Sequence, residues 1–287
     1  MILLTGAAGR VGRATVSALL GADVPIRVLV RDANKLSSSD PRIDIQVGDL
    51  SNTQTVQRAL QGVERALLVM GNHPDQPFLE RQFATLAADA GVTHLVKVSS
   101  MEAAADARAV LPLNHYGTEQ HIAASGMDWT FLRPNFYMQN LLMYAESIKR
   151  SGAFALPLGA ALTAMIDTQD VGEVAAKVLL EEGHAGQIYE LTGPELMDFH
   201  EVARRLGAVT GADLRYHDQS PEDFRMTLGR FIASAWQLDA VCELFAEIAA
   251  GSLERRTDTV QELLGRAPTP LESFARRFLS IFSDSSP

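Results

Sequence analysis

Three glycines near the start of the chain carry the strongest chemical signal. Thr5-Gly6-Ala7-Ala8-Gly9-Arg10-Val11-Gly12 spaces them as Gly-x-x-Gly-x-x-Gly. The apolar run Ile2 to Thr5 precedes them, and Val11, Ala14, Ala18 and Leu19 follow at helical spacing. A glycine triplet alone is weak, but between a strand and an amphipathic helix it is the pattern of a loop that cradles a dinucleotide. Gly6 would make the tight turn, Gly9 would let the backbone approach a pyrophosphate, and Gly12 would let the helix pack closely. N–H groups across Ala8, Gly9, Arg10 and Val11, with the positive end of the helix, would hold the phosphates. The plainer alternative is a structural turn at a helix start.

The second apolar run, Ile26 to Val30, ends in Arg31-Asp32, where a ribose-binding carboxylate is expected in an NAD site. Arg31 instead suits a 2′-phosphate, with Arg10 and Lys35 able to add charge-assisted contacts. The expected cofactor is therefore NADPH. A one-residue shift that turned Asp32 toward the ribose keeps NAD(H) open, and a solvated strand-end charge is the alternative for Arg31. Asp49-Leu50, after the third strand, is either a clasp for an adenine ring or a turn and helix cap.

These residues need a scaffold, and the spacing supplies one. Ile43, Ile45 and Val47 alternate, Val56, Leu60 and Val63 mark a helix, and Ala66 to Met70 a buried strand. Leu79, Phe83, Leu86 and Ala90 form a helical stripe before a strand over His94 to Ser99. A helix over 114–125, a strand over Trp129 to Leu132, a helix over Val171 to Leu180 and a strand over Gln187 to Leu191 follow. Such alternation predicts an α/β fold: a doubly wound parallel sheet of the Rossmann type, covered on both faces. Helical candidates at Phe199 to Leu206, Phe224 to Leu228, Phe231 to Ala250 and Leu271 to Phe282 make a smaller, mainly helical C-terminal lobe that would set the substrate. The expected organisation is a dinucleotide-binding domain over 1–150 with elements returning at 165–192, then the lobe over 193–287.

Composition narrows the function classes. The chain has 287 residues, 47% of them hydrophobic and 21% charged, the proportions of a globular enzyme. A net charge of −10 with no basic run argues against nucleic-acid binding. The longest stretch without an ionisable residue, Ser151 to Ile166, is short for a membrane span and contains Gly152, Pro157 and Gly159. Met1 leads straight into the first strand, so a cytoplasmic protein is expected. Cys242 stands alone and has no disulfide partner. The histidines are scattered, with no metal-binding spacing, and no Gly-x-Ser-x-Gly elbow occurs, so no metal site is expected.

The loop Gly6 to Gly12, Val30-Arg31, Gly48-Asp49-Leu50, the helix His115-Tyr116-Gly117-Thr118-Glu119 and the segment Trp129 to Tyr137 together resemble the NmrA-like atypical short-chain dehydrogenase/reductases. Gly265-Arg266, Pro268 and Phe274 extend the likeness toward the C-terminus, so it covers nearly the whole chain. The family includes NADPH-dependent quinone reductases, triphenylmethane-dye reductases and regulators that bind the dinucleotide without turnover. The resemblance implies a nicotinamide near Ser99, His115 and Pro134-Asn135, with Phe136, Tyr137 and Asn140 close to the substrate.

Ordinary short-chain reductases use Tyr-x-x-x-Lys on one helix face, and here Tyr116 is followed at that spacing by Gln120. An amide carries no charge to activate the phenol, which argues against reduction of an unactivated ketone. A quinone or other flat conjugated acceptor spreads the incoming electron density and demands less acid. The resemblance aligns His115 with a Lys or His beside the nicotinamide. His115 could hydrogen-bond the cofactor ribose or donate a proton, its ordinary pKa of about 6.5 suiting either. Glu119 shares its face and could orient it; alternatively, His115 packs locally and Glu119 makes a helix salt bridge.

The segment Phe131 to Met143 is aromatic- and methionine-rich, a pattern found in cores as well as in pockets, and Trp236 and Cys242 either line a cavity or fill the core. The expected function is NADPH-dependent hydride transfer to a small quinone-like or conjugated aromatic acceptor. The alternative is a redox sensor that binds NADP(H) without turnover and acts through a protein partner. A third possibility is isomerisation or reduction in secondary metabolism.

Overall fold

The computed structural model describes residues 1–36 and 40–283. In chain order its strands and helices are β1 (Ile2–Thr5), α1 (Arg10–Gly21), β2 (Ile26–Val30), β3 (Ile43–Val47), α2 (Thr53–Ala59), β4 (Arg65–Leu68), α3 (Gln76–Asp89), β5 (His94–Val98), α4 (Val110–Ala123), β6 (Asp128–Pro134), α5 (Ala145–Ser151), β7 (Ala153–Leu156), α6 (Thr168–Leu180), β8 (Gln187–Leu191), α7 (Phe199–Thr210), β9 (Arg215–Asp218), α8 (Pro221–Leu228), α9 (Ala235–Ala249), α10 (Thr259–Leu264), α11 (Leu271–Arg277) and α12 (Leu279–Phe282). They form two compact units. The first is Met1–Ala105, Leu113–Pro134 and Thr168–Glu190; the second is Asp106–Pro112, Asn135–Asp167 and Leu191–Pro287. Residues 135–150, expected with the N-terminal domain, thus lie in the second unit.

The first unit carries a seven-stranded sheet in the order β3-β2-β1-β4-β5-β6-β8. The five pairings from β3 to β6 are all parallel. Chain order reverses between β1 and β4, so the loop after β1 opens at the switch point where doubly wound sheets bind ligands. The expected α/β doubly wound sheet is therefore what the chain forms. Every residue of β1 is buried, as a strand covered on both faces requires. Helix α1 lays Val11, Gly12, Thr15, Val16 and Leu19 on its buried face. Gly172 of α6 meets it closely: a Cβ there would stand 2.4 Å from the Ala14 Cβ.

The second unit holds α7 to α12 and a two-stranded parallel sheet of β7 and β9, paired Phe154 to Tyr216. Its core is aromatic. Phe199 lies 5.6 Å from Phe136 and 5.8 Å from Tyr216, ring centre to ring centre. The helix expected from Phe231 starts at Ala235, because the Ser234 side chain accepts from Gln237 N and caps it there. The single helix expected over Leu271 to Phe282 breaks at Phe278 into α11 and α12.

Candidate functional site

The glycine loop is built from contacts that leave no room for side chains. Thr5, at the end of β1, is buried; its hydroxyl donates to Val69 O at 3.0 Å and accepts from Val69 N at 2.8 Å, tying the ends of β1 and β4 together. Gly6 then turns with φ +62°, and a Cβ on it would lie 2.6 Å from Val69 O. A Cβ on Gly12 would lie 2.2 Å from Gly6 O, so the first turn of α1 packs directly on the loop backbone. Gly9 is exposed, and among the described residues only Gly6 O comes near its missing Cβ, at 3.1 Å. The N-cap of α1 is Gly9, which among the described residues offers it no side-chain cap, and no acidic residue stands in the first turn. An uncapped helix start behind an open glycine is the arrangement a pyrophosphate fits, since an anion there meets backbone N–H groups and the helix dipole.

At the end of β2 the two candidates separate. The Asp32 side chain accepts from Asn34 N at 3.0 Å and caps a short 3-10 turn over Ala33–Lys35, whereas Arg31 is exposed. A carboxylate used as a cap is a poor ribose ligand, so the turn favours the cation and a 2′-phosphate. Arg13, which no motif singles out, joins the two segments expected to face phosphates. Its Nε donates to Ala8 O at 2.9 Å and its guanidinium also reaches Lys35 O. An arginine one turn into the helix was the available signal. Asp49 accepts from Ser51 N at 2.9 Å, and that bond, the Ser51 hydroxyl and nearby Arg31 hold its carboxyl below the usual range. Leu50, half-buried, packs against the Phe83 core.

Two polar atoms where the resemblance implies a nicotinamide lack partners among the described residues. Ser99 follows β5; its N–H donates to Leu132 O at 2.7 Å, while its buried Oγ bonds to nothing. His115, on α4, has an enclosed Nδ1 with no partner. Such orphaned groups fit a ribose or carboxamide ligand, because leaving them unpaired costs free energy. Tyr116 is half-buried and Gln120 exposed.

Glu119 does not orient His115, as its spacing had suggested. Arg133 of β6 takes both its oxygens, Nε at 3.0 Å and Nη2 closer still. A second charged pair, Lys97 of β5 with Glu80 of α3 at 2.7 Å, is buried in the same unit, and the Gln76 side chain donates to Glu80 at 3.4 Å. Burial, then Lys97 and Arg133, push the His115 pKa well below the ordinary histidine value. His115 is therefore a neutral imidazole, suited to hydrogen bonding and unsuited to acting as a stored acid.

The remaining candidates belong to the second unit, apart from Pro134, whose carbonyl accepts from Met101 N at 3.3 Å in the first. Asn135 is buried; its amide donates to Leu253 O at 3.0 Å and its Oδ1 accepts from Phe136 N at 2.7 Å. Phe136, expected near the substrate, is a core residue: it is 7% exposed and meets Phe199 and Phe245 edge-on. Tyr137 and Asn140 are half-buried, the latter on a 3-10 helix over Met138–Tyr144 whose Met138, Gln139 and Leu141 are buried. Gln139 donates to the buried Asp167 at 2.6 Å, and Arg277 reaches the same carboxylate. Trp236 and Cys242 are half-buried on α9, and burial pushes the Cys242 thiol up. Among the described residues no group of metal-ligating side chains gathers, and no helix is long and apolar enough to cross a membrane.

Comparison with known proteins gives these features a context. The chain is 35% identical over 283 residues to an NAD(P)H azoreductase of Xenophilus azovorans, covering 98% of this chain and 99% of that protein. It is 34% identical over 288 residues to the (4-alkanoyl-5-oxo-2,5-dihydrofuran-3-yl)methyl phosphate reductase of Streptomyces griseus subsp. griseus, covering 99% of each. The crystal structure of an Escherichia coli NADPH-dependent quinone oxidoreductase complexed with NADPH superimposes with a TM-score of 0.88 at 27% identity, over 97% of this chain and 99% of that one. The NmrA-like family model matches residues 1–275. With the glycine loop, the switch-point sheet and this match in agreement, the chain belongs to the NmrA-like family.

Proposed function

We propose that the protein is an NADPH-dependent reductase that passes hydride to a conjugated acceptor, of which a quinone or an azo-linked aromatic is the type. The observation that carries this reading is the α1 N-terminus, without a side-chain cap from Gly9, behind the Gly6 to Gly12 loop, together with the chain's likeness to an NAD(P)H azoreductase and an NADPH-dependent quinone oxidoreductase. Bound NADPH supplies the hydride; the protein supplies position and electrostatics. In this reading Gly6, Ala8, Gly9, Arg10, Val11 and Gly12 receive the phosphates, and Arg31 with Lys35 selects the 2′-phosphate. Arg13 fixes the distance between those two groups of residues by bonding to both backbones. Asp49 and Leu50 border the adenine, while Ser99, Pro134 and Asn135 belong to the nicotinamide end.

The residue set near the reacting end is weak in acids. Tyr116 lacks a lysine partner and His115 is held neutral, so neither is an efficient donor to a strongly basic alkoxide. A conjugated acceptor tolerates that deficit, which is why it is favoured over a simple ketone. Tyr137 and Asn140 are the residues of the second unit assigned to acceptor binding, and Phe136 supports them from the core. The reductase works in the cytoplasm in this reading.

The test is oxidation of NADPH and NADH by purified protein with a panel of quinones, azo dyes and simple ketones. Oxidation of NADPH by the conjugated acceptors and none by the ketones is expected. Tight NADPH binding without oxidation by any acceptor would overturn the reading in favour of a dinucleotide sensor.

A further inference from the structure

The charged surroundings of His115 carry an inference about the source of the reaction's proton. Lys97 and Phe131 are register partners on β5 and β6, and Arg133 lies two residues beyond Phe131. Alternate strand residues share a face, so Lys97 and Arg133 project from the same side of the sheet. Helix α4 presents His115 and, one turn on, Glu119. The charged groups acting here are Lys97 from β5, matched by Glu80 from α3, and Arg133 from β6, matched by Glu119 from α4. Glu119 is 1% exposed and both its oxygens are held by the Arg133 fork. The one carboxylate on His115's own helix face is thereby spent, and among the described residues the enclosed Nδ1 has no partner.

We propose that Arg133 is a positioning residue for His115: by occupying Glu119 it denies the imidazole a carboxylate, so that His115 serves as a neutral hydrogen-bonding group and the proton completing quinone reduction comes from solvent. The inference rests on the reductase reading above. Quinone reduction takes one hydride, carrying both electrons, from NADPH and leaves NADP+; the resulting hydroquinone anion then takes one proton. A cationic triarylmethyl dye accepts the same hydride at carbon and becomes neutral with no proton. The two acceptors therefore separate proton delivery from hydride transfer.

The experiment is an NMR titration of the His115 ring in the NADP+-bound protein, assigned with His115→Gln, in wild type, Arg133→Gln and the double variant Arg133→Gln/Glu119→Gln. In wild type the ring is expected to show no protonation step through the range where free histidine changes charge. Arg133→Gln releases Glu119 and removes a charge that itself lowers the ring, so it should raise the His115 pKa by about one unit or more, and the double variant, which also removes the carboxylate, should show a smaller rise. In Arg133→Gln the ratio of quinone to dye turnover should become pH-dependent, whereas in wild type it should not. Should Arg133→Gln not fold, Arg133→Lys, which keeps the charge and loses the fork, should give a smaller upward shift. Ordinary titration of His115 in wild type, an unchanged titration in the Arg133 variants, or as large a rise in the double variant as in Arg133→Gln would overturn the proposal. Because the ring is read without turnover, inactivity toward every acceptor would instead count against the reductase reading.

Discussion

The loop Gly6 to Gly12 and the segment Phe136 to Tyr144 were both expected to touch ligands, and they are built on opposite principles. In the loop, the proposed function is written in the backbone: the Cβ positions of Gly6 and Gly12 run into Val69 O and Gly6 O, so residue type and geometry determine each other. In the segment, function depends on which side chains are left over after packing. Phe136, Met138, Gln139 and Leu141 go to the core, and Tyr137 and Asn140 remain half-exposed. A cofactor shared by many reductases can be held by peptide N–H groups that any sequence provides. An acceptor is selected by side chains, which share their positions with packing duties.

The contrast can be broken most forcefully at Phe136. Phe136→Ala removes a ring wedged between Phe199 and Phe245, and is expected to cost about 3–5 kcal/mol of stability, read as a lower denaturation midpoint. An unchanged midpoint with a raised acceptor KM would return Phe136 to the substrate surface. Next in size is Gly12→Ala, whose new Cβ meets the Gly6 carbonyl; overpacking of this kind costs about 1–3 kcal/mol of stability, and a loop displaced by the clash should bind NADPH less tightly, as titration of the nucleotide would show. Gly9→Ala, with its nearest neighbour at 3.1 Å, should fold normally and lose affinity through the ligand alone.

Arg31→Ala sharpens the comparison from the cofactor side. Loss of a charge-assisted contact should weaken NADPH binding about tenfold and leave NADH binding unchanged, as titration of each nucleotide would show. Tyr137→Phe, on the acceptor side, should raise the acceptor KM about threefold with no change in nucleotide affinity.

The smallest effect is on acid stability. His115 and His94 both have pKa values lowered, in each case first by burial. The unfolded chain therefore takes up protons first, and the stability gained by keeping these rings neutral is whole above about pH 6.5 and is lost as pH falls below it. Denaturation midpoints should decline on the acid side, and less steeply in His115→Gln.

Much of the first unit was legible because its signals are local. β1 and β2 lie within the apolar runs that suggested them, β3 and β8 within the expected strand segments, and the glycine spacing announced a loop whose clashes the structure displays. What stayed hidden depends on distance along the chain. Lys97 in the apolar run His94 to Val98 was an anomaly readable in the sequence, but its partner Glu80 lies on another element. Likewise, helical spacing placed Glu119 beside His115, and nothing local shows that Arg133, from the adjoining strand, captures it. β7 and β9 escaped because four residues of Ala-Phe-Ala-Leu or Arg-Tyr-His-Asp offer no alternation, and only their mutual pairing makes them strands. The fate of Phe136 was hidden for the same reason, since Phe199 and Phe245 decide it.

The most direct test of the central claim is a single turnover of the protein loaded with NADPH deuterated at the transferred position, mixed with a quinone. Direct hydride transfer predicts loss of the reduced-nicotinamide absorbance with a primary isotope effect and deuterium leaving the nucleotide. Retention of the absorbance in the presence of quinone and azo acceptors alike would contradict it.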